Sequence, residues 1–200
     1  MTTDKKMAKR KNILFIMIQK NITFANALQT GKMKRFILFT LFALTVYSFN
    51  SYSQTADQFF SKGMEKLKAM ELDSANYYFN KALESDPKYS DAAFRRGFVK
   101  DKQGDLQGAY EDYTLAISIA AKPVYLNNRG MIKFVTGDFN EAIIDFDNAI
   151  ALDSNYLIAL FNKGRAFVEL KETDKGCVFM REAFDKGLTI VEDALDFYCN

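Results

Sequence analysis

The chain contains no histidine, which removes the side chain most often used as a general base near neutral pH and the commonest metal ligand. Its two cysteines, Cys177 and Cys199, stand far apart and form no CxxC pair, so neither a dithiol redox centre nor a zinc cluster has a sequence basis. No GxSxG elbow, phosphate-cradling glycine loop or HExxH helix occurs. No stretch alternates apolar and polar residues as a half-buried strand would. Carboxylates do cluster, as in Asp145 with Asp147 or Glu71 with Asp73, but at places that read as helix ends and solvated faces rather than acid–base pairs. These gaps argue against an enzyme, and no catalytic residue, metal or cofactor is expected.

What is present divides into two unlike parts. Residues 1–53 hold nine Lys or Arg against the single Asp4, whereas residues 54–200 hold 18 basic and 24 acidic side chains. The near-neutral total therefore hides an acidic body with no basic stripe, which argues against nucleic acid as a partner.

Lys34 and Arg35 follow Met33 and precede the run from Phe36 to Phe49, apolar except for Thr40, Thr45 and Ser48. Ser51 and Ser53 then supply small residues at the two positions that determine cleavage. Basic, apolar and small segments in that order predict a secretory signal peptide over 33–53, cleaved after Ser53 to leave Gln54 at the new terminus. The apolar run is shorter than the roughly 20 residues a membrane-spanning helix needs, so no membrane insertion is expected after cleavage. With no Cys near the cleavage point, lipid attachment there has no basis. Residues 1–32 read as an upstream extension, either a mis-assigned start preceding a true Met33 or an extended basic leader. An uncleaved tether is the competing reading of the apolar run. The resulting expectation is an exported protein, periplasmic or secreted.

Beyond residue 55 a single pattern recurs. In the stretch NNRGMIKFVTGDFNEAIIDFDNAIALD, from Asn127 to Asp153, two amphipathic segments with three-and-four apolar spacing meet at Gly137 and Asp138. The first glycine of that template recurs as Gly63, Gly97, Gly130 and Gly164, at intervals of 34, 33 and 34. A second small residue follows as Ala75, Ala109, Ala142 and Gly176, a large apolar one as Phe79, Tyr113, Phe146 and Met180, and a last alanine as Ala82, Ala116, Ala149 and Ala183. Four columns in fixed register describe a repeat array, in which small residues admit close helix approach and the large one fills the space between.

Those columns resemble the tetratricopeptide repeat, whose unit carries a glycine, two alanines flanking an aromatic, and often a terminal proline. The unit 56–89 matches all five features, including Pro87; units 90–122 and 123–156 lack the proline; unit 157–188 departs furthest, with Gly176 and Met180. The resemblance covers about two-thirds of the chain. It implies an all-α, right-handed α-solenoid of four helix-turn-helix units, followed by a capping helix over 189–200. The pairs are expected at 56–68 with 72–85, 90–102 with 106–119, 123–136 with 139–152 and 157–170 with 173–187. Gly104 and Gly137 are expected as left-handed stops, Asp105 and Asp138 as caps of the next helix, Ser90 as a cap and Pro123 in a first turn. In the capping segment Ile190, Val191, Ala194, Leu195 and Phe197 are expected to face the last unit, with Glu192, Asp193 and Asp196 in water. In an exported protein Cys177 and Cys199 are expected to pair, closing a loop that contributes roughly 3 kcal/mol; two small buried thiols that never meet are the alternative.

The resemblance also implies a concave groove lined by the first helix of each unit. Its candidate lining is Phe60, Met64, Phe94, Arg95, Phe98, Asn127, Asn128, Met131, Phe161, Asn162 and Arg165. Asn128 and Asn162 stand where peptide-binding members carry an asparagine that bonds the ligand backbone, but the cations that clamp a terminal carboxylate in chaperone-binding members are not reproduced as a set. Phe94 and Phe161 are equally consistent with packing between first helices. The function implied is a non-catalytic scaffold or adaptor holding another protein or peptide in the groove. Two alternatives stand beside it, a structural or assembly subunit of a cell-envelope complex bound through the convex face or ends, and a holdase-like chaperone.

Overall fold

The computed structural model describes residues 55–199; the expectations for the extension, the signal peptide and the cleavage point lie outside them. The chain divides into two units, Met1–Ser51 and Tyr52–Asn200, and the description that follows concerns the second. Among the described residues there are nine α-helices and no strand. They are α1 (55–68), α2 (Leu72–Ser85), α3 (Ser90–Lys102), α4 (Leu106–Ile119), α5 (Pro123–Val135), α6 (Phe139–Leu152), α7 (Leu157–Glu169), α8 (Thr173–Asp185) and α9 (Glu192–Cys199), with a 3₁₀ turn at Thr189–Val191 before the last. Consecutive helices pack on one another along the chain, giving an α-solenoid of four hairpins.

The four-column pattern is what buries the interior. Phe79, Tyr113, Phe146 and Met180 are fully buried, as are Ala75, Ala109, Ala142, Ala82, Ala116, Ala149 and Ala183. A Cβ added at Gly63 would meet the Phe79 ring at 2.6 Å, at Gly97 the Tyr113 ring at 3.0 Å, at Gly130 the Phe146 ring at 2.7 Å, and at Gly164 Met180 Cγ at 2.8 Å. All four glycines thus occupy one environment, the notch into which their own unit's large residue packs. The departure at Gly176 has a local cause: a Cβ there would come within 2.6 Å of the Gly164 carbonyl, and one on Gly164 within 2.7 Å of the Gly176 carbonyl. The last hairpin trades a methyl for closer backbone approach.

Every hairpin turns the same way. The amide of Glu71, Asp105, Asp138 and Glu172 donates to the carbonyl five residues back, at Lys66, Lys100, Lys133 and Phe167, over 2.8–3.0 Å. That bond closes a left-handed helix terminus. Gly104 and Gly137 supply the positive φ in the two inner hairpins as expected, while Met70 (φ 58°) and Lys171 (φ 67°) adopt it in the outer two. Asp105 caps α4 by accepting from the Gly108 amide at 2.9 Å. Asp138 makes no such bond to the α6 backbone and instead accepts from the Thr136 hydroxyl. Ser90 is the first residue of α3 rather than its cap; Asp86 and Asp153 tighten the links between hairpins by accepting from the amides of Lys88 and Asn155. Pro123 opens α5.

The C-terminal cover differs from expectation. Val191 is fully buried and Ala194 and Leu195 are half-buried, but Ile190 and Phe197 are 81% and 78% exposed, and α9 buries no side chain completely. The 3₁₀ turn before α9 aims Val191 inward and leaves Ile190 outside. Cys177 on α8 and Cys199 on α9 are joined by a disulfide.

Candidate functional site

The first helices α3, α5 and α7 meet side by side, and their meeting points decide which candidate groove residues remain available. Phe94 is almost wholly buried, stacked on Tyr125 of α5 at 4.6 Å between ring centroids and tilted against Tyr113 at 5.5 Å. It fills the joint between two hairpins. Asn127 and Asn162 are also buried, and Asn162 Nδ2 donates to Asn127 Oδ1 at 2.9 Å, linking α5 to α7. A buried amide that has found a partner is costly to redirect toward a ligand. Phe60 is half-buried between the Phe79 and Tyr89 rings, and Met64 packs half-buried on the cluster around Phe79 and Val99.

Half-exposed along the same row are Arg95, Phe98, Asn128, Met131, Phe161 and Arg165. The cations among them lie on aromatic faces. The Arg165 guanidinium stands 4.7 Å from the Phe134 ring centroid and 5.9 Å from that of Phe161, and Arg95 lies 5.3 Å from Phe94. Lys102 is placed likewise over Phe98, 5.4 Å from its centroid. Among the described residues neither Arg95 nor Arg165 is ion-paired; Arg165 Nη1 makes only a long contact, 3.5 Å, to Asn162 Oδ1. An arginine resting on a ring keeps its planar donor fork oriented and partly desolvated, so it can accept a carboxylate with little rearrangement. Phe134 and Lys102 were not singled out from the sequence, although both recur at the groove-facing spacing of their helices.

A second set of charges faces the other way, and sequence reasoning misplaced it. Asp145, expected on a solvated face, is 1% exposed. It accepts Arg129 Nε at 2.9 Å and Nη2 at 2.7 Å and is paired with Lys133 Nζ at 2.9 Å. Its carboxylate raises the Arg129 pKa above the ordinary arginine value, against the opposing effect of burial. One unit earlier Asp112, also buried, receives Arg96 and Lys100 in the same arrangement. The outer units replace the buried carboxylate with a ring: Lys163 Nζ sits 4.0 Å from the Phe179 centroid, and Lys62 Nζ 5.8 Å from that of Tyr78. The same cation reaches back to the preceding hairpin, Arg96 to Asn80 Oδ1 at 2.6 Å, Arg129 toward Thr114 Oγ1 at 3.4 Å and Lys163 to Asp147 at 2.6 Å. These groups join hairpins and are spent on structure. Recurrence at an offset of 33 residues (Arg96 and Arg129, Lys100 and Lys133, Asp112 and Asp145) was the available signal.

Among the described residues no group of His, Cys, Asp or Glu could hold a metal ion, and no helix is long and apolar enough to cross a membrane. The arrangement offers a surface for recognition, with orientated cations, apolar patches and one half-exposed amide.

Residues 124–156 match the family model described as tetratricopeptide repeat. Tetratricopeptide repeat protein 36 of Danio rerio is 31% identical over 100 residues, which cover 48% of this chain and 54% of that protein. The chain spans between 15% and 54% of the length of the curated relatives it matches. Among solved structures, MamA superposes with a TM-score of 0.64 at 15% identity, covering 68% of this chain and 81% of the other. YrrB, described as a TPR protein with an unusual peptide-binding site, does so with a TM-score of 0.61 at 16% identity, covering 71% and 74%. Four glycines in like notches, four hairpin turns closed by the same bond and these likenesses together show an array of tetratricopeptide repeats, of which residues 124–156 match the family model.

Proposed function

We propose that the chain is a non-catalytic adaptor whose row of first helices holds an extended segment of another protein. Repeats of this family generally mediate protein–protein contacts, and YrrB carries a peptide-binding site on a similar backbone. The observation that carries the reading is the contrast between two sets of arginines. Arg96 and Arg129 are consumed by buried aspartates, whereas Arg95 and Arg165 lie on aromatic rings without an ion pair among the described residues. Beside them Phe98, Met131 and Phe161 offer apolar anchors and Asn128 an amide for a ligand backbone. The partner so favoured combines apolar side chains with carboxylates, drawn in by charge and held by apolar burial. Capture of a partner by the full chain, compared with the Phe98→Ala and Asn128→Ala variants, tests this: loss in both supports groove binding, and retention in both opposes it.

A second reading has its own support. Tyr77, Ile144 and Val178 stand at one position of three of the four second helices and are 55%, 51% and 64% exposed, Glu111 holding that position in the other. Such a repeated apolar line suits a subunit docked through its outer face. For localisation, the basic–apolar–small order over 33–53 supports export with cleavage after Ser53. Mass spectrometry of the native protein tests it, since a terminus at Gln54 is expected and an intact Met1 or Met33 opposes it.

A further inference from the structure

We propose that α9 is a redox-operated strap, held on the last hairpin by the Cys177–Cys199 bond and released when a dithiol reduces it. The proposal is independent of the groove reading. Three observations carry it. First, α9 contains no completely buried side chain, and at its far end Phe197 is 78% exposed and Tyr198 39%. Second, an eight-residue helix has little stability of its own in water, so something outside it must hold it. Third, the two fixed points lie at its ends: Val191, fully buried, immediately before it, and Cys199, bonded to Cys177 on α8. The α8 end of that bond is firmly seated, because Gly176, Met180 and Ala183 on the same helix are buried against α7 or the interior. Ala194 and Leu195 are only half-buried between those points.

Both cysteines are half-exposed, so a reductant can reach the bond. One thiolate of the dithiol attacks the Cys199 sulfur; the bond to Cys177 breaks, and the Cys177 sulfur leaves as a thiolate and takes up a proton. The second thiolate of the reductant then displaces the Cys199 sulfur, which is protonated in turn. The chain gains two thiols and the reductant becomes a disulfide. With Cys199 free, Val191 remains as the anchor and the helix beyond it loses its outer tether, uncovering the α8 surface around Thr173, Cys177 and Arg181, which now shares a cleft with Tyr198 and Cys199.

The test is hydrogen exchange on the full chain, oxidised and after treatment with a small dithiol, with the double variant Cys177→Ser, Cys199→Ser as a reductant-insensitive control. Alkylation and mass spectrometry report the thiol state. The strap predicts that the amides of α9 exchange at least about tenfold faster on reduction, as they do in the double variant, while α2 to α7 keep their protection. Unchanged exchange in α9 would overturn the proposal, since packing would then hold the helix. So would loss of protection throughout the array, which would make the bond a global staple, or two alkylatable thiols before any reductant is added.

Discussion

Arg129 on α5 grips Asp145 on α6 through two bonds, Nε to Oδ2 at 2.9 Å and Nη2 to Oδ1 at 2.7 Å, and the aspartate they hold is 1% exposed. Breaking a buried pair strands a charge, at a cost of about 3–5 kcal/mol, whereas replacing the whole group by well-packed apolar residues is often neutral. Asp145→Ala is therefore expected to lower unfolding free energy by about 3–5 kcal/mol. The double variant Lys133→Phe, Asp145→Phe, which copies Phe167 and Phe179 of the last unit, is expected to lose less. Chemical denaturation of both variants measures the difference.

That pair also marks the limit of what the sequence disclosed. Glycine and alanine columns are legible because a small residue at fixed spacing has one dominant meaning in a helical hairpin, and the helix boundaries followed from them to within two residues at most ends. Asp145 was misread because a carboxylate inside the run Asp145-Phe146-Asp147 has the same local appearance whether it faces water or a buried guanidinium. Its partner lies on another helix, and pairwise contact across helices is not written in local spacing. Asn127 and Asn162 illustrate the same difficulty: each matches a groove position, and only the meeting of α5 with α7 shows that they bond each other. In the capping segment Val191, Ala194 and Leu195 turn inward as the amphipathic pattern implies, while a 3₁₀ turn at 189–191 rotates Ile190 outward and Phe197 lies exposed against that pattern.

The hairpin turns offer a second test. Met70 and Lys171 adopt the left-handed conformation that Gly104 and Gly137 fill in the inner units. That conformation costs an L-residue about 1–2 kcal/mol, and glycine gives back about 0.5–1 kcal/mol through its larger unfolded-state entropy. Met70→Gly and Lys171→Gly are each expected to stabilise the fold by about 0.5–1 kcal/mol, and Gly137→Ala to destabilise it by about 1 kcal/mol. Thermal melts read all three.

The glycine notches rank themselves. Alanine at Gly97 meets ring atoms at 3.0 Å, at Gly130 a ring atom at 2.7 Å, and at Gly164 the Gly176 carbonyl at 2.7 Å. A ring shifts more readily than a backbone carbonyl that its own helix holds in place. Overpacking of this kind costs about 1–3 kcal/mol, so the destabilisation is expected to rise from Gly97→Ala through Gly130→Ala to Gly164→Ala. Denaturation midpoints that reverse this order would show that the hairpins relax differently from their static spacing.

Groove binding makes a quantitative claim as well. Arg165→Glu reverses a charge that Phe134 and Phe161 hold in place, and is expected to weaken an acidic partner by tenfold or more, with the loss shrinking as salt rises. Titration at two salt concentrations measures it.

The most direct test of the account asks which face touches the partner. A photo-reactive phenylalanine analogue is placed in the full chain at Met131, half-exposed on the first-helix row, or at Ile144, 51% exposed on a second helix. Groove binding predicts that the captured partner is cross-linked from position 131 and not from position 144; cross-linking from 144 alone would contradict it.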